Sequence, residues 1–379
     1  MFVEPAVDEG FPGAPAEAAG PEDRVARVPL RATLAPLALV VAFAAFVQLS
    51  PAVSAPDVPT LFGDHLSRNV LLYMIVASAT VWVFLLSRLV RGKTKERPVT
   101  LIASMVRERW RSDRLLSVAI PPVFLALLLA SFSTFKQRIL PSAGFGMDPI
   151  FAEADRALFL GTDPWRITHA IVDSAWATQL IDLAYLLWFI PMMLTALLSW
   201  ALPAELRVRT LLSFALVWIV IGSLLAYLLP SAGPCYYGHF HPNDRFADLN
   251  LLLAAHGADL GSNGEPGLLA LRGQAELLAA FRSQELMLAA GISGMPSVHN
   301  ALATLFALVA FRINRALGWF FTAFALVIGF GSVHLGWHYA LDGIVAALAT
   351  WGLWWAAGRF TRWLMAERRQ AEAAVPATA

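Results

Sequence analysis

Apolar residues in this chain run in long, nearly unbroken blocks, with polar residues collected between them. Blocks near 32–50, 69–90, 115–134, 175–200, 209–230, 297–312, 315–333 and 338–358 approach the roughly 20 residues that a helix needs to cross a hydrocarbon layer. They predict about eight transmembrane helices, two of them short. Backbone polar groups in lipid must be paired within the segment, so the fold class is all-α: a polytopic membrane helix bundle.

The segments between the blocks differ in character. Residues 1–28 are rich in Ala, Pro, Gly and acids with no apolar run to nucleate packing, which predicts a disordered tail. No basic segment leads straight into a short apolar core, so the first block is expected to stay as a helix and not to be cleaved as a signal peptide. Segment 231–296 is long for a connector. Its stretches "NLLLAAHGADL" and "GLLALRGQAELLAAFRSQELMLAAG" place apolar residues at helical spacing, interrupted by Arg and Glu, and predict amphipathic helices along the membrane surface.

Composition narrows the setting further. Hydrophobic residues make up 58% of the chain and charged residues 15%, the balance of a membrane protein. A formal net charge of +1 gives no reason to expect a nucleic-acid partner, and the single cysteine, Cys235, rules out an intrachain disulfide. Lys and Arg orient the bundle, because short cytoplasmic loops retain them. Arg88, Arg91, Lys93, Lys95, Arg97, Arg107, Arg109, Arg111 and Arg114 follow the second block. Arg207 and Arg209, then Arg312 and Arg315, then Arg359, Arg362, Arg368 and Arg369 mark later turns. Both termini are therefore expected inside a bacterial inner membrane, with 51–68, 135–174, 231–296 and 334–337 outside.

That orientation brings candidate chemistry to one face. "SGMPSVHNA" begins the sixth block, "GSVHLGWHYALDG" joins the seventh to the eighth, and "STFKQRILP" follows the third. His338 and Asp342 are four apart at a helix start, so the carboxylate can accept from one ring nitrogen and leave the other free to attack. His299, from another helix, can protonate a leaving oxygen. The electrophile would be anionic: the helix start at Pro296, the Ser297 hydroxyl and the Lys136 ammonium all suit a phosphoryl group. Two histidines with separate duties suggest double displacement.

"PSVH" followed 39 positions later by "HYALD" resembles two signature motifs of the type 2 phosphatidic acid phosphatase superfamily, whose members share a six-helix core with the vanadium haloperoxidases. "GWHYALDG", "PSAGPCYYG" (230–238), "FKQRILP" and "FAEADRALFLGTDPW" resemble in particular its inositol phosphorylceramide synthase branch, the inositolphosphotransferase-like proteins. The resemblance covers about 115–358, implying a six-helix catalytic core there, two additional helices and a basic loop in 29–114, and a cytoplasmic tail over 359–379. It implies His338 as the phosphohistidine, Asp342 as its orienting group, His299 as acid and base, and Lys136 as the lysine of the first motif. Where that motif continues into Arg-Pro, this chain has Ala143 and Gly144, and Ser332 stands six before His338 where Arg is usual. His334 and Arg138 are the candidates to replace them at the phosphate.

The implied activity is transfer of a phosphate-linked head group from a phospholipid donor to a lipid alcohol such as ceramide or diacylglycerol, without cofactor or metal. A lipid phosphatase using water, acting on phosphatidate or an isoprenyl pyrophosphate, is the alternative that the motifs do not separate. Asp182, about two turns inside the fourth block, is open to three readings: orienting a catalytic histidine, head-group binding, or a helix-to-helix hydrogen bond. Tyr236 and Tyr237 are expected to line the substrate or form an outer lid. A zinc site on His334 and His338 would lack a dependable third ligand. A proton-coupled transporter using Asp182 and the outer histidines is the remaining class, although no broken-helix pair marks the midplane.

Overall fold

Each of the eight apolar blocks is helical, in one piece or more. The computed structural model describes residues 29–54, 57–90, 112–261, 267–287 and 290–373, and no strand occurs among them. The expected tail 1–28, the basic stretch 91–111 and residues 374–379 lie outside the described residues.

In chain order the α-helices of eight residues or more are α1 (Leu30–Gln48), α2 (Asp57–Val90), α3 (Ser112–Thr134), α4 (Asp148–Leu158), α5 (Pro164–Ile171), α6 (Ala175–Leu186), α7 (Phe189–Leu197) and α8 (Ala204–Leu216). After them come α9 (Ala247–Leu260), α10 (Leu269–Ser283), α11 (Val298–Ile313), α12 (Arg315–His334) and α13 (Ala340–Ala373). Among the described residues, six segments are long and apolar enough to cross a membrane: Leu30–Gln48, Leu116–Ala143, Ala175–Leu197, Ala204–Leu228, Arg315–His334 and Ala340–Ala366. Large apolar side chains such as Leu180, Leu228, Phe320 and Leu348 stand exposed on their outer faces. In water such surface would be costly; in lipid it is the solvated face, and the chain is an integral membrane protein.

α11 is the exception in length and the centre of the bundle. It packs against α12, α13, α8 and α7, and is buried around its circumference from Ala301 through Leu302, Ala303, Leu305 and Phe306 to Ala310. Its 16 residues span about 24 Å, short of the roughly 30 Å of a hydrocarbon core. The irregular segment 290–297 that leads into it is enclosed by protein, the condition under which non-helical backbone is tolerated at depth.

Two departures from the sequence reading shape the site. The fourth block is not one straight helix: α6 ends at Leu186 and α7 begins at Phe189. Pro191 accounts for the break, because it lacks an N–H for the carbonyl of Leu187 and its ring crowds that oxygen. The break turns Trp188, 2% exposed, into the bundle. At the other end of the chain, α13 continues to Ala373 where a tail was expected from 359, since that stretch contains strong helix formers and no Gly or Pro after Gly358 until Pro376.

The two amphipathic stretches of the long connector are α9 and α10, both packed on α6. α1 and α2 pack on α3, and α1 also lies against α8.

Candidate active site

α12 ends at His334 and α13 starts at Ala340, and the five residues between them make a tight reversal. Asp155 of α4 fixes its exit: Oδ2 accepts from the Ala340 N–H at 2.7 Å and Oδ1 from the Leu341 N–H at 2.8 Å, satisfying two first-turn donors of α13. Burial raises the Asp155 carboxyl to about 6, against the opposing pull of those two N–H groups. The His338 N–H in turn donates to the Ser332 carbonyl at 3.0 Å.

The His338 ring is held by two acceptors. Nδ1 lies 2.8 Å from the Gly294 carbonyl oxygen and 3.3 Å from Oδ2 of Asp342. A carbonyl oxygen can only accept, so Nδ1 carries the hydrogen, and in the neutral ring Nε2 is the nitrogen with the lone pair. Asp342 is fully buried and its Oδ2 also accepts from the Tyr339 N–H at 3.1 Å.

The Gly294 carbonyl is itself built in. The Gly294 N–H donates to the Ser231 carbonyl at 2.7 Å, and the Met295 N–H to Ser231 Oγ at 2.8 Å. A β-carbon on Gly294 would lie 2.7 Å from Ser231 Oγ, so a glycine is required for this approach. Gly233, at φ +98, lies under the Trp337 carbonyl, 2.6 Å from where a β-carbon would be. Asp148 of α4 secures this strand of backbone: it accepts from the N–H groups of Ala232 at 2.8 Å and Gly233 at 3.0 Å, and from the Tyr339 hydroxyl at 2.8 Å. Burial and the adjacent Asp148 push the Tyr339 phenol far upward, keeping it a neutral donor. Sequence reasoning missed Asp148 and Asp155. Their seven-residue spacing, with buried Phe151 and Ala152 between them, places them on one helix face and was the available signal.

His299 enters from the first turn of α11. Its ring stacks on Tyr185 of α6, centroids 4.8 Å apart at 19°, and packs at a tilt of 36° against Trp188, 4.2 Å away. The Trp188 indole N–H donates to the His299 carbonyl at 3.1 Å, so the break between α6 and α7 positions this histidine. The rings of His299 and His338 are 6.1 Å apart, centroid to centroid. Lys136 sits on a π-helical turn, Phe135–Ile139, that extends α3; its stem lies against Gly291, and its charge is within electrostatic reach of His299. It borders an open cavity of about 270 Å³, with Gln137, Arg138, Phe281 and Gln284 among the walls.

The structure thus brings together His338, Asp342 and His299, with Lys136 within electrostatic reach of His299, and distributes the other expected residues around them. Ser297 is the N-cap of α11: its hydroxyl accepts from the Asn300 N–H at 3.3 Å and from Asn300 Nδ2 at 3.0 Å. Arg138 is paired with Asp57 at 3.2 Å and donates to the Gln284 carbonyl at 2.9 Å. His334 is not brought to His338. Its ring stacks on His169 at 3.8 Å, and Nε2 is 3.0 Å from Thr178 Oγ1, which also meets His256. Burial, reinforced by His256, holds His169 below the usual imidazole range, and the cluster is a set of packed rings.

Asp182 accepts with both oxygens from the Ala270 N–H at 3.1 Å, anchoring the N-terminus of α10; the helix-to-helix bond is what the geometry contains. Tyr236 donates to the Gln274 carbonyl of α10 at 3.1 Å, and Tyr237 packs on His241 and Phe246. Both phenols are pushed up, chiefly by burial. Among the described residues no group of three His, Cys, Asp or Glu side chains is arranged to hold a metal ion.

An integral membrane bundle with two neighbouring histidines, a buried carboxylate on one and an ammonium within electrostatic reach of the other fits a class: membrane-embedded phosphoryl-transfer enzymes. The family match agrees. The model of the PAP2 superfamily matches residues 150–356, more than half of the chain, and the protein belongs to that superfamily. It is therefore a phosphatase or phosphotransferase of lipid substrates. The matched stretch includes His299, His338 and Asp342 and begins after Lys136. Comparison with the curated proteins and with the solved structures found no match.

Proposed function

We propose that the protein transfers a phosphate-linked head group from a phospholipid to the hydroxyl of a second lipid, in the manner of inositol phosphorylceramide synthases. The observation that carries the mechanism is the His338 ring, fixed through Nδ1 with the Nε2 lone pair free and His299 facing it. Nε2 attacks phosphorus and forms an N–P bond as the donor's P–O ester bond breaks; His299 gives its proton to the departing oxygen. The acceptor hydroxyl then attacks phosphorus, its proton passes to His299, and the N–P bond breaks to release the new phospholipid. Asp342 stabilises the positive charge that His338 gains in the first step, and Lys136 offsets the charge on the phosphoryl oxygens.

Charge favours transfer from a diester over hydrolysis of a monoester. With Arg138 paired to Asp57, Lys136 is the cation left for the phosphoryl group among the described residues of this site. One positive charge suits a phosphodiester monoanion better than a monoester dianion.

The opposite end of the bundle supports an orientation. Arg31 donates to the Leu364 carbonyl at 3.0 Å, Arg209 lies on Trp354 at 3.7 Å, and Arg359 on Trp355 at 5.0 Å. We place that basic end in the cytoplasm and the histidines at the outer face.

The test is a panel of head-group-labelled phospholipids, each with and without ceramide or diacylglycerol, with products identified by mass spectrometry beside a His338→Ala control. The proposal requires a new phospholipid that appears only with an acceptor and only with His338. Free phosphate released regardless of acceptor would make the protein a phosphatase instead.

A further inference from the structure

Two buried hydrogen-bond donors beside the histidine pair have nothing to donate to. Tyr185 is 7% exposed, and its hydroxyl has no partner; the indole Nε1 of Trp337, next in sequence to His338, is buried and also without one. Buried polar atoms are normally paired, because an unmade hydrogen bond costs the full desolvation of the group. Orphaned donors occur elsewhere in the bundle too, at Thr350 among others, but these two lie where a bound substrate could supply the partner.

Their placement argues the same. Tyr185 stacks on His299, and Trp337 lies parallel to Tyr185 at 6.5 Å and 8°, so the two orphaned donors share one set of rings with His299. Tyr185 is also within electrostatic reach of Asp342. A transferring phosphoryl group spreads its charge over several oxygens, each of which needs a donor. The neighbouring polar side chains are committed elsewhere: Arg138 to Asp57, and Ser332 to the Gly329 carbonyl at 2.8 Å and Asn300 at 3.2 Å.

We propose that the Tyr185 hydroxyl and the Trp337 indole N–H are catalytic residues that donate to the non-bridging oxygens of the phosphoryl group while His338 is bonded to phosphorus. The inference rests on the reading of His338 and His299 as the reacting pair. Both donors are uncharged, so they orient the group and stabilise its oxygens without adding positive charge to the site. Tyr185 also supports His299 by stacking, a role that phenylalanine preserves.

The experiment uses the full chain in detergent micelles with orthovanadate, which adopts the five-coordinate geometry of a phosphoryl group in transfer. Vanadate affinity, turnover and thermal stability are measured for Tyr185→Phe, Trp337→Phe and His338→Ala. The inference requires vanadate binding to weaken about tenfold or more in Tyr185→Phe, with kcat falling by a similar factor, KM little changed and the melting temperature held. Trp337→Phe gives the same pattern and decides the matter if Tyr185→Phe does not fold. Normal vanadate binding and kcat in both phenylalanine variants, with His338→Ala inactive, would overturn this inference and leave the histidine mechanism standing. Vanadate binding and turnover that survive His338→Ala would remove both.

Discussion

Replacing Asp342 with Asn isolates what the carboxylate contributes, because the amide oxygen still accepts from the Tyr339 N–H that Oδ2 now holds at 3.1 Å. In serine-protease triads, the corresponding change costs about 10⁴ in kcat, since the histidine is left in the wrong tautomer. Here the closer acceptor of His338 Nδ1 is the Gly294 carbonyl, at 2.8 Å against 3.3 Å for Asp342, so the tautomer survives the substitution. The loss is then that of one charge-assisted hydrogen bond to a histidine becoming positive, about 1.5–3 kcal/mol. At about 1.4 kcal/mol per tenfold, Asp342→Asn should lower kcat about 10- to 150-fold. Single-turnover rates with labelled donor lipid measure this directly. A loss near 10⁴ would mean that Asp342, not Gly294, sets the tautomer; an unchanged rate would mean that the carboxylate does not act on His338.

Asp155→Ala leaves two first-turn donors of α13 unpaired and should destabilise the protein by about 1–3 kcal/mol, read as a lowered midpoint in thermal unfolding. The Asp155 carboxyl, raised to about 6 from 3.8, binds its proton more tightly in the folded than in the unfolded chain. The stability it contributes is therefore full at about pH 4 and is lost as pH rises through 6, by up to about 3 kcal/mol, and Asp155→Asn should flatten that slope. Asp182→Ala should cost about 1–2 kcal/mol of stability with KM for lipid donor unchanged, because its carboxylate caps α10; a raised KM at full stability would restore it to the substrate site. EDTA should leave turnover intact, since histidine and lysine side chains supply every step; loss of activity on chelation and recovery with added metal would contradict the mechanism.

Membrane spans and the pairing of His338 with Asp342 were legible in the sequence for the same reason: each is a local property. A run of some 20 apolar residues or a His and Asp four apart needs no knowledge of the rest of the fold. What escaped notice depends on residues far apart in the chain. Asp148 meets Tyr339 across 191 positions and Asp155 meets Leu341 across 186, and nothing near either acid announces its partner. His334 shows how local spacing misleads. Four residues before His338 would be one turn along a continuing helix, but α12 stops at His334 and the chain reverses through Gly336 at φ +73, so the two rings part. Asp182 reads as an expensive carboxylate within a span until α10 folds back over it. Trp188 and Tyr185 look like ordinary apolar positions of a long helix, and only the break before Pro191 turns Trp188 toward His299.

The central claim is that His338 becomes covalently bonded to phosphorus. Wild-type protein mixed with head-group-labelled phospholipid, without acceptor, and stopped in alkaline denaturant should carry the labelled phospho-head-group on His338. Peptide mass spectrometry should locate it there as an acid-labile adduct, which disappears when ceramide or diacylglycerol is added and is absent from His338→Ala. Turnover by the wild type with no such adduct at any time, or an adduct that persists in His338→Ala, would contradict the account.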